Sequence, residues 1–420
     1  MIPLHEAQQI IRVSLRMAPP VGVPLEDAVG CVGAEEIVAR ESVPGFSNAA
    51  MDGYALRASD TVAGSTQLRV TNSLMAGDVS TRGLESGEAV RIMTGTPLPD
   101  GADSVCKIEE VTVDPRGQTV RIDRTIRYGE HVRYPGEDIS PGQVLIRPGT
   151  QLAPVHVGVL ASQGLTSVLV HPRPRVGVLS TGDEPTHSRE PLPVANSRHV
   201  NQLMLLALLR RSDFVATDLG SVPKDAAEVS ARVIQAVREC DAVLVTSGAS
   251  AVDVDFVTSM VGELSLGGAT SLRAAVSPVQ TFVFGNTGRQ STPMYALTGD
   301  PLSILVGFEL YVRPALRALA HHYVTLRPLV SVVLECPLPR RRDDTIHLVP
   351  ILARFDEDGR LHAEQVARHR SLYTPTSGAT NALAWVCDGD GLSTGQVVPA
   401  MIVNTLQSAA RSTSVSFGAE

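Results

Sequence analysis

Val176-Gly177-Val178-Leu179-Ser180-Thr181-Gly182-Asp183-Glu184 is an apolar run that stops on a hydroxyl residue and a glycine. The pattern returns twice, as Ala242 to Thr246 ending in Ser247-Gly248, and as Met294 to Leu297 ending in Thr298-Gly299-Asp300-Pro301. Each run has the length of a buried strand, and Phe214 to Asp218 supplies another. Between them lie helical stretches: about Asn201 to Arg211, Asp225 to Glu239 with Val229, Val233, Ala236 and Val237 on one face, and Leu302 to about Ala318. Strands alternating with helices predict a parallel, doubly wound α/β sheet.

In such a sheet ligands bind beyond the carboxyl ends of the strands. Glycine lets the backbone approach closely, and the following helix N-terminus offers free N–H groups and a positive dipole end. Thr181, Gly182, Asp183, Ser247, Gly248, Thr298, Gly299 and Pro301 therefore form the candidate binding set for a phosphate- or pterin-type ligand. The competing reading is that small residues simply turn strands into helices. Asp183, Glu184, Asp253, Asp255 and Asp300 gather around the same loops, and Asp255 and Asp300 are the candidate Mg²⁺ ligands, since this ion takes one or two carboxylates beside phosphate oxygens. Helix capping is the alternative use of such carboxylates.

Outside the α/β stretch, 171–322, the texture changes. Residues 1–44 open with MIPLHEAQQIIRVSLRM, where Leu4, Ala7, Ile11 and Leu15 fall at helical spacing, so an amphipathic helix packing on its own protein is expected, not a signal peptide. Residues 45–141 are rich in Gly, Pro and short β-type runs, with a plain hairpin: Val111-Thr112-Val113, the turn Asp114-Pro115-Arg116-Gly117, then Thr119 to Ile122. Residues 142–170 return to apolar alternation and are expected to pack back on 1–44, making 45–141 an insertion. From 323 to 408 the pattern is β again, with Leu329 to Glu335 a strand and Asp356-Glu357-Asp358-Gly359 a turn; 409–420 reads as a loose tail.

A chain of 420 residues needs several cores. A net charge of −8 gives no electrostatic footprint for nucleic acid, and no apolar run has the roughly 18 residues of a membrane helix, so a cytoplasmic protein without membrane insertion is expected. Cys31, Cys106, Cys240, Cys336 and Cys387 are widely spaced and read as reduced, mostly buried thiols. Lys107 and Lys224 are the only lysines.

Four motifs carry a resemblance. Pro44-Gly45-Phe46-Ser47-Asn48-Ala49-Ala50-Met51-Asp52-Gly53-Tyr54-Ala55 is similar to PGFxNSAMDGYA, and Arg91-Ile92-Met93-Thr94-Gly95-Thr96-Pro97-Leu98-Pro99 with Gly101-Ala102-Asp103 to RIMTGAPxPxGAD. Gly136-Glu137-Asp138-Ile139 and Ser180 to Glu184 match GEDI and STGDE. These are motifs of the MoeA/gephyrin E-domain family, and the likeness spans nearly the whole chain. The resemblance implies an elongated homodimer: a discontinuous first domain (1–44 and 142–170), an inserted β domain (45–141), an α/β domain of the MoaB/Mog type (171–322) and a C-terminal β barrel (323–408). It further implies insertion of molybdate into adenylylated molybdopterin with Mg²⁺, in a cleft between the α/β domain of one subunit and the second domain of its partner. Asp52, Thr94, Asp138, Glu184, Asp255 and Pro301 match the family's functional positions, the first four as catalytic residues.

The departures point the other way. The family's KPGKP aligns with Ser277-Pro278-Val279-Gln280-Thr281, so both lysines are absent; each charge-assisted contact to phosphate is worth ~1.5–3 kcal/mol. SGGVSxGxxD aligns with Ser247 to Asp255, one residue short and with Val252 expected to narrow the loop. PGNP reads Thr298-Gly299-Asp300-Pro301, putting negative charge where an anion should sit, and DSN or DTN best matches His199-Val200-Asn201. Neither lysine is expected to replace the lost pair; only Arg273 and Arg289 are near in sequence. On this ledger the leading expectation is a non-catalytic, gephyrin-like dimeric scaffold acting in cell division, recruited to the division site through a partner peptide. By family analogy that peptide is the disordered tail of FtsZ or a membrane receptor's cytoplasmic segment, docked near His321 to Arg327. The alternative is a working molybdopterin molybdenumtransferase.

Overall fold

The structure, a computed structural model, describes residues 1–182, 200–247, 251–297, 299–340, 342–366, 380–387 and 389–408. At its centre is a six-stranded sheet with the order Val215–Val222, Arg175–Thr181, Ala242–Thr246, Thr292–Leu297, Thr281–Thr287, Thr270–Arg273. The first four strands run parallel and in step, with Thr181 opposite Val222, Ser180 opposite Thr246 and Thr246 opposite Leu297. The last two are antiparallel additions, so the sheet is mixed where the sequence pattern predicts a wholly parallel one. One face packs Val200–Arg211 and the Pro301–Leu319 helical stretch, whose middle turn, Phe308–Val312, is π-helical; the other packs Ala226–Ala236 and Ala251–Leu264.

The N-terminal helix, Leu4–Val13, buries Leu4, Ala7 and Ile11 in the same core as Tyr311, Ala315 and Leu316. Val21–Pro24 and Val32–Gly33 flank Ser167–His171, and Ile37–Val38 pairs with Val144–Ile146, so the chain segments before and after the 45–141 stretch close on each other. That stretch holds a second six-stranded sheet, including the expected hairpin, in which Val120 faces Val113 and Ile122 faces Val111. Its turn is fixed by the Asp114 carboxylate, which accepts the N–H groups of Arg116, Gln118 and Thr119.

In the C-terminal region Ile346–Phe355, Leu361–Gln365, Leu329–Leu334, Val397–Ile402 and Ala382–Val386 pair in turn, and the last returns to the first, closing a five-stranded barrel. Val276–Ser277 of the α/β region pairs with this barrel through Val276 opposite Ile346 and Ser277 opposite His347. The junction near His321 to Arg327 is tied internally. His171 stacks on His321 at 3.5 Å, and the buried Glu309 accepts two bonds from Arg327 at 2.7 and 3.0 Å. Burial beside Arg317 and Arg313 pushes His322 down to about 4, which keeps it neutral. Cys31, Cys106 and Cys240 are buried, and all five thiols are free. Among the described residues no helix is long and apolar enough to cross a membrane.

Candidate functional site

The strand register brings Thr181, Gly182, Ser247, Gly299 and Pro301 to one edge of the central sheet. Asp183, Glu184, Gly248 and Thr298 lie outside the described residues. Thr181 Oγ1 donates to the Thr246 carbonyl at 3.4 Å, and Gly182 N–H donates to Val222 O at 2.9 Å. Gly299 sits at φ +115, and a Cβ there would stand 3.2 Å from Ser303 Cβ, so the close turn requires glycine.

Two adjacent amides at the first turn of Val200–Arg211 hold these loops together. Asn201 Nδ2 donates to Ser247 O at 3.1 Å and to Gly299 O at 3.0 Å, joining two strand ends. Gln202 Nε2 donates to Asp218 Oδ1 at 2.7 Å and Gly220 O at 2.8 Å, fixing the next turn along the edge. Both side chains are buried, and Asn201 Oδ1 and Thr246 Oγ1 have no partner among the described residues. Orphaned polar atoms behind a glycine loop suit a site that receives hydrogen-bonding groups from a ligand. The alignment of His199-Val200-Asn201 with a family triplet marked Asn201, but its two-loop contact is set by positions 46 and 98 residues away and leaves no local signal.

The expected defects look different in place. Asp300 caps the Pro301–Gly307 helix: its Oδ1 accepts the N–H groups of Leu302 at 2.8 Å and Ser303 at 3.1 Å, and its Oδ2 accepts from Ser303 Oγ at 3.1 Å. Val252 is 72% exposed. Asp255 is exposed on Ala251–Leu264. Among the described residues no three His, Cys, Asp or Glu side chains gather to hold a metal ion.

Asp52 and Thr94 meet in the second sheet region. Asp52 Oδ1 accepts both the Thr94 N–H and the Thr94 hydroxyl at 2.7 Å. These two bonds, with a smaller contribution from Arg91, hold the Asp52 carboxyl below its ordinary range. The pair is placed by Gly53, whose Cβ would lie 1.9 Å from Cys106 O, so only glycine lets the strands close there. Asp138 is exposed and paired with Arg133. Among the described residues no hydrogen bond joins Asp52, Thr94 or Asp138 to the strand-end loops.

Comparison with known proteins places both regions. Residues 2–164 match the family model "MoeA N-terminal region (domain I and II)", and residues 177–318 match "Probable molybdopterin binding domain". Molybdopterin molybdenumtransferase 2 of Mycobacterium tuberculosis is 32% identical over 345 residues, 81% of this chain and 85% of that protein. Molybdopterin molybdenumtransferase of Bacillus subtilis is 30% identical over 413 residues, 96% of this chain and 94% of that protein. The crystal structure of the molybdopterin biosynthesis moeA protein from Pyrococcus horikoshii OT3 superposes with a TM-score of 0.75 at 26% identity, covering 96% of this chain and 100% of that one.

Proposed function

This chain belongs to the MoeA family, and from that premise we propose that it is a molybdopterin molybdenumtransferase, placing molybdenum into molybdopterin held at the carboxyl edge of the α/β sheet. The expectation of a non-catalytic scaffold is overturned by the relatives: proteins 30–34% identical over 70–96% of this chain carry the transferase name. The physical reason the sequence argument failed is that it summed charges along an alignment, whereas the Asp300 carboxylate caps a helix and Val252 is exposed.

The observation that carries the reading is the in-register convergence of three strand-end loops, two of them joined by Asn201. Backbone N–H groups at these turns, and the N-terminus of Ala251–Leu264, favour the anionic groups of a molybdopterin phosphate ester. Molybdopterin's ring nitrogens and amines supply donors for acceptors such as Asn201 Oδ1. Asp52, whose carboxyl the Thr94 bonds lower further below its ordinary range, is the carboxylate that would orient or deprotonate a group of the incoming substrate, with Asp138 and Glu184 as its companions. Mg²⁺ belongs to the same proposal: the chain builds no closed cage for it among the described residues, and Asp255 is the exposed carboxylate that would meet an ion carried in with substrate phosphates.

Because no hydrogen bond joins Asp52 to the strand ends among the described residues, we place the complete site in a homodimer, across two copies. Purified protein given adenylylated molybdopterin and molybdate should form molybdenum cofactor, and should sediment as a dimer at micromolar concentration. Absence of cofactor under conditions where the Bacillus subtilis relative produces it would refute the transferase reading. A monomeric species that is fully active would refute the shared site.

A further inference from the structure

We propose that a cavity at the amino edge of the α/β sheet binds a small organic phosphate, with Arg16 and Arg289 on the anionic head and apolar walls around the organic body. The site is separate from the carboxyl edge and does not depend on the transferase reading.

Three neighbouring parallel strands begin at this edge: Arg175–Thr181, Ala242–Thr246 and Thr292–Leu297. Pro174, Asp241 and Thr292, at their starts, line a cavity of ≈ 430 Å³ together with Arg16, Arg289 and His171. That volume is in the range of small-molecule pockets, and the whole lining lies within the described residues. Arg175–Thr181 has seven residues, so about 20 Å separates the cavity from the carboxyl edge, and an occupant here would not touch the strand-end loops.

The charge of the lining selects an anion. Burial holds His171, and the His321 ring stacked on it, below the ordinary imidazole range, so both are neutral at neutral pH. Arg16 and Arg289 are then the cations of the lining and Asp241 its carboxylate. Both arginines are exposed, and neither guanidinium has an ion-pair or hydrogen-bond partner among the described residues. Asp241 is tied to the neighbouring strand: its Oδ2 accepts the Arg175 N–H at 2.8 Å, and its own N–H donates to Arg175 O at 2.7 Å. Two cations against one carboxylate leave a net positive lining, and a guanidinium fork matches phosphate oxygens.

The walls ask for more than a bare anion. Met17, Pro19, Pro172, Pro293 and Leu319 give apolar cover that inorganic phosphate would leave without contact. The fold fixes the parts that carry the cations. Asn286 Nδ2 donates to Ser14 O at 3.0 Å, which ties the chain just before Arg16 to the sheet. Arg289 lies in the turn between Thr281–Thr287 and Thr292–Leu297, where Ser291 is held at φ +56 and donates its N–H to Gly288 O at 3.2 Å. A left-handed residue other than glycine is costly, and such residues gather at binding sites. Behind the cavity, His171 Nδ1 and His321 Nε2 are buried without a partner, so the fold alone does not satisfy this wall. The competing reading is a crevice between chain segments, rimmed by ordinary solvated arginines.

The test titrates the full chain with phenyl phosphate, inorganic phosphate and phenol, followed by calorimetry. Phenyl phosphate should bind at one saturable site with Kd below about 1 mM, at least about tenfold tighter than either inorganic phosphate or phenol. Arg16→Gln and Arg289→Gln should each weaken it by about fivefold or more, and Arg16→Lys and Arg289→Lys should recover part of that loss. Arg232→Gln, an exposed cation on Ala226–Ala236, is the control and should bind as the unmodified protein does. Unfolding midpoints of all five variants should stay at the unmodified value, since none of these arginines is buried. The proposal is overturned by the absence of saturable binding up to about 10 mM, by affinity within twofold of the unmodified protein in both neutral variants, or by an equal loss in Arg232→Gln. Inorganic phosphate binding as tightly as phenyl phosphate overturns it too, because the apolar walls would then add nothing.

Discussion

At the carboxyl edge of the α/β sheet, Asn201 is 9% exposed and holds two backbone carbonyls from two loops. In the second sheet region, Asp52 and Thr94 are both exposed, and a single side chain is held by one neighbour. The first arrangement is neutral, buried and built into the fold; the second is charged, solvated and local. Removing a buried donor strands its acceptors away from water, whereas removing an exposed one lets water take its place. Errors at the two places should therefore have different signatures: lost stability with lost binding at the sheet edge, a shifted acid titration without unfolding at Asp52.

Asn201→Asp should break this contrast hardest. It sets a carboxylate oxygen against Ser247 O and Gly299 O, and the unfolding free energy should fall by about 2–4 kcal/mol, read by denaturant titration. A loss below 1 kcal/mol would mean the amide is not holding the loops. Gly299→Ala comes next, at about 1–2 kcal/mol, because φ is +115 and the added Cβ crowds Ser303; molybdopterin affinity should fall with it, measured by titration on the same samples.

Thr94→Val should leave the unfolding midpoint unchanged while changing the chemistry. The Asp52 carboxyl is depressed, so its contribution is complete above its unfolded-state pKa and is lost as pH falls through the lowered value. Removing the Thr94 hydroxyl raises the folded value toward the ordinary one. NMR titration of Asp52 should show that rise, and the acid limb of the activity profile should move to higher pH. An unmoved titration would place the depression elsewhere. Asp300→Asn should have the smallest effect, within about 0.5 kcal/mol, since an amide oxygen accepts the Leu302 and Ser303 N–H groups equally well. A large gain in ligand affinity from this change would restore the view that Asp300 repels the substrate.

The strand ends at Thr181, Ser247 and Gly299 were legible because a buried strand followed by a tight turn leaves a local mark: an apolar run closed by a small hydroxyl residue and glycine. The hairpin at Asp114 to Gly117 was legible for the same reason. Thr270–Arg273 and the helix Ala251–Leu264 were not. The first is too short to show a period, and the alternating Ala251-Val252-Asp253-Val254-Asp255 mimics a strand before helical contacts decide it. The direction of a side chain was also invisible. Asp300 reads as misplaced charge in an alignment and as a helix cap in space, and Ser221 meets Gly182 only through the pairing of Val222 with Thr181.

The two-residue ladder between Val276–Ser277 and Ile346–His347 joins the barrel to the segment that borders the ligand edge. The ladder uses the first two residues of Ile346–Phe355, which extend beyond the 351–355 stretch paired with Leu361–Gln365. Thermodynamic reciprocity then fixes a relation between distant events. If substrate binds more tightly when the barrel is attached, substrate must strengthen the attachment by the same factor, and anything that pulls the barrel away must weaken substrate binding equally. The C-terminal region would then act as a load on the ligand equilibrium, felt at the sheet edge without touching the ligand.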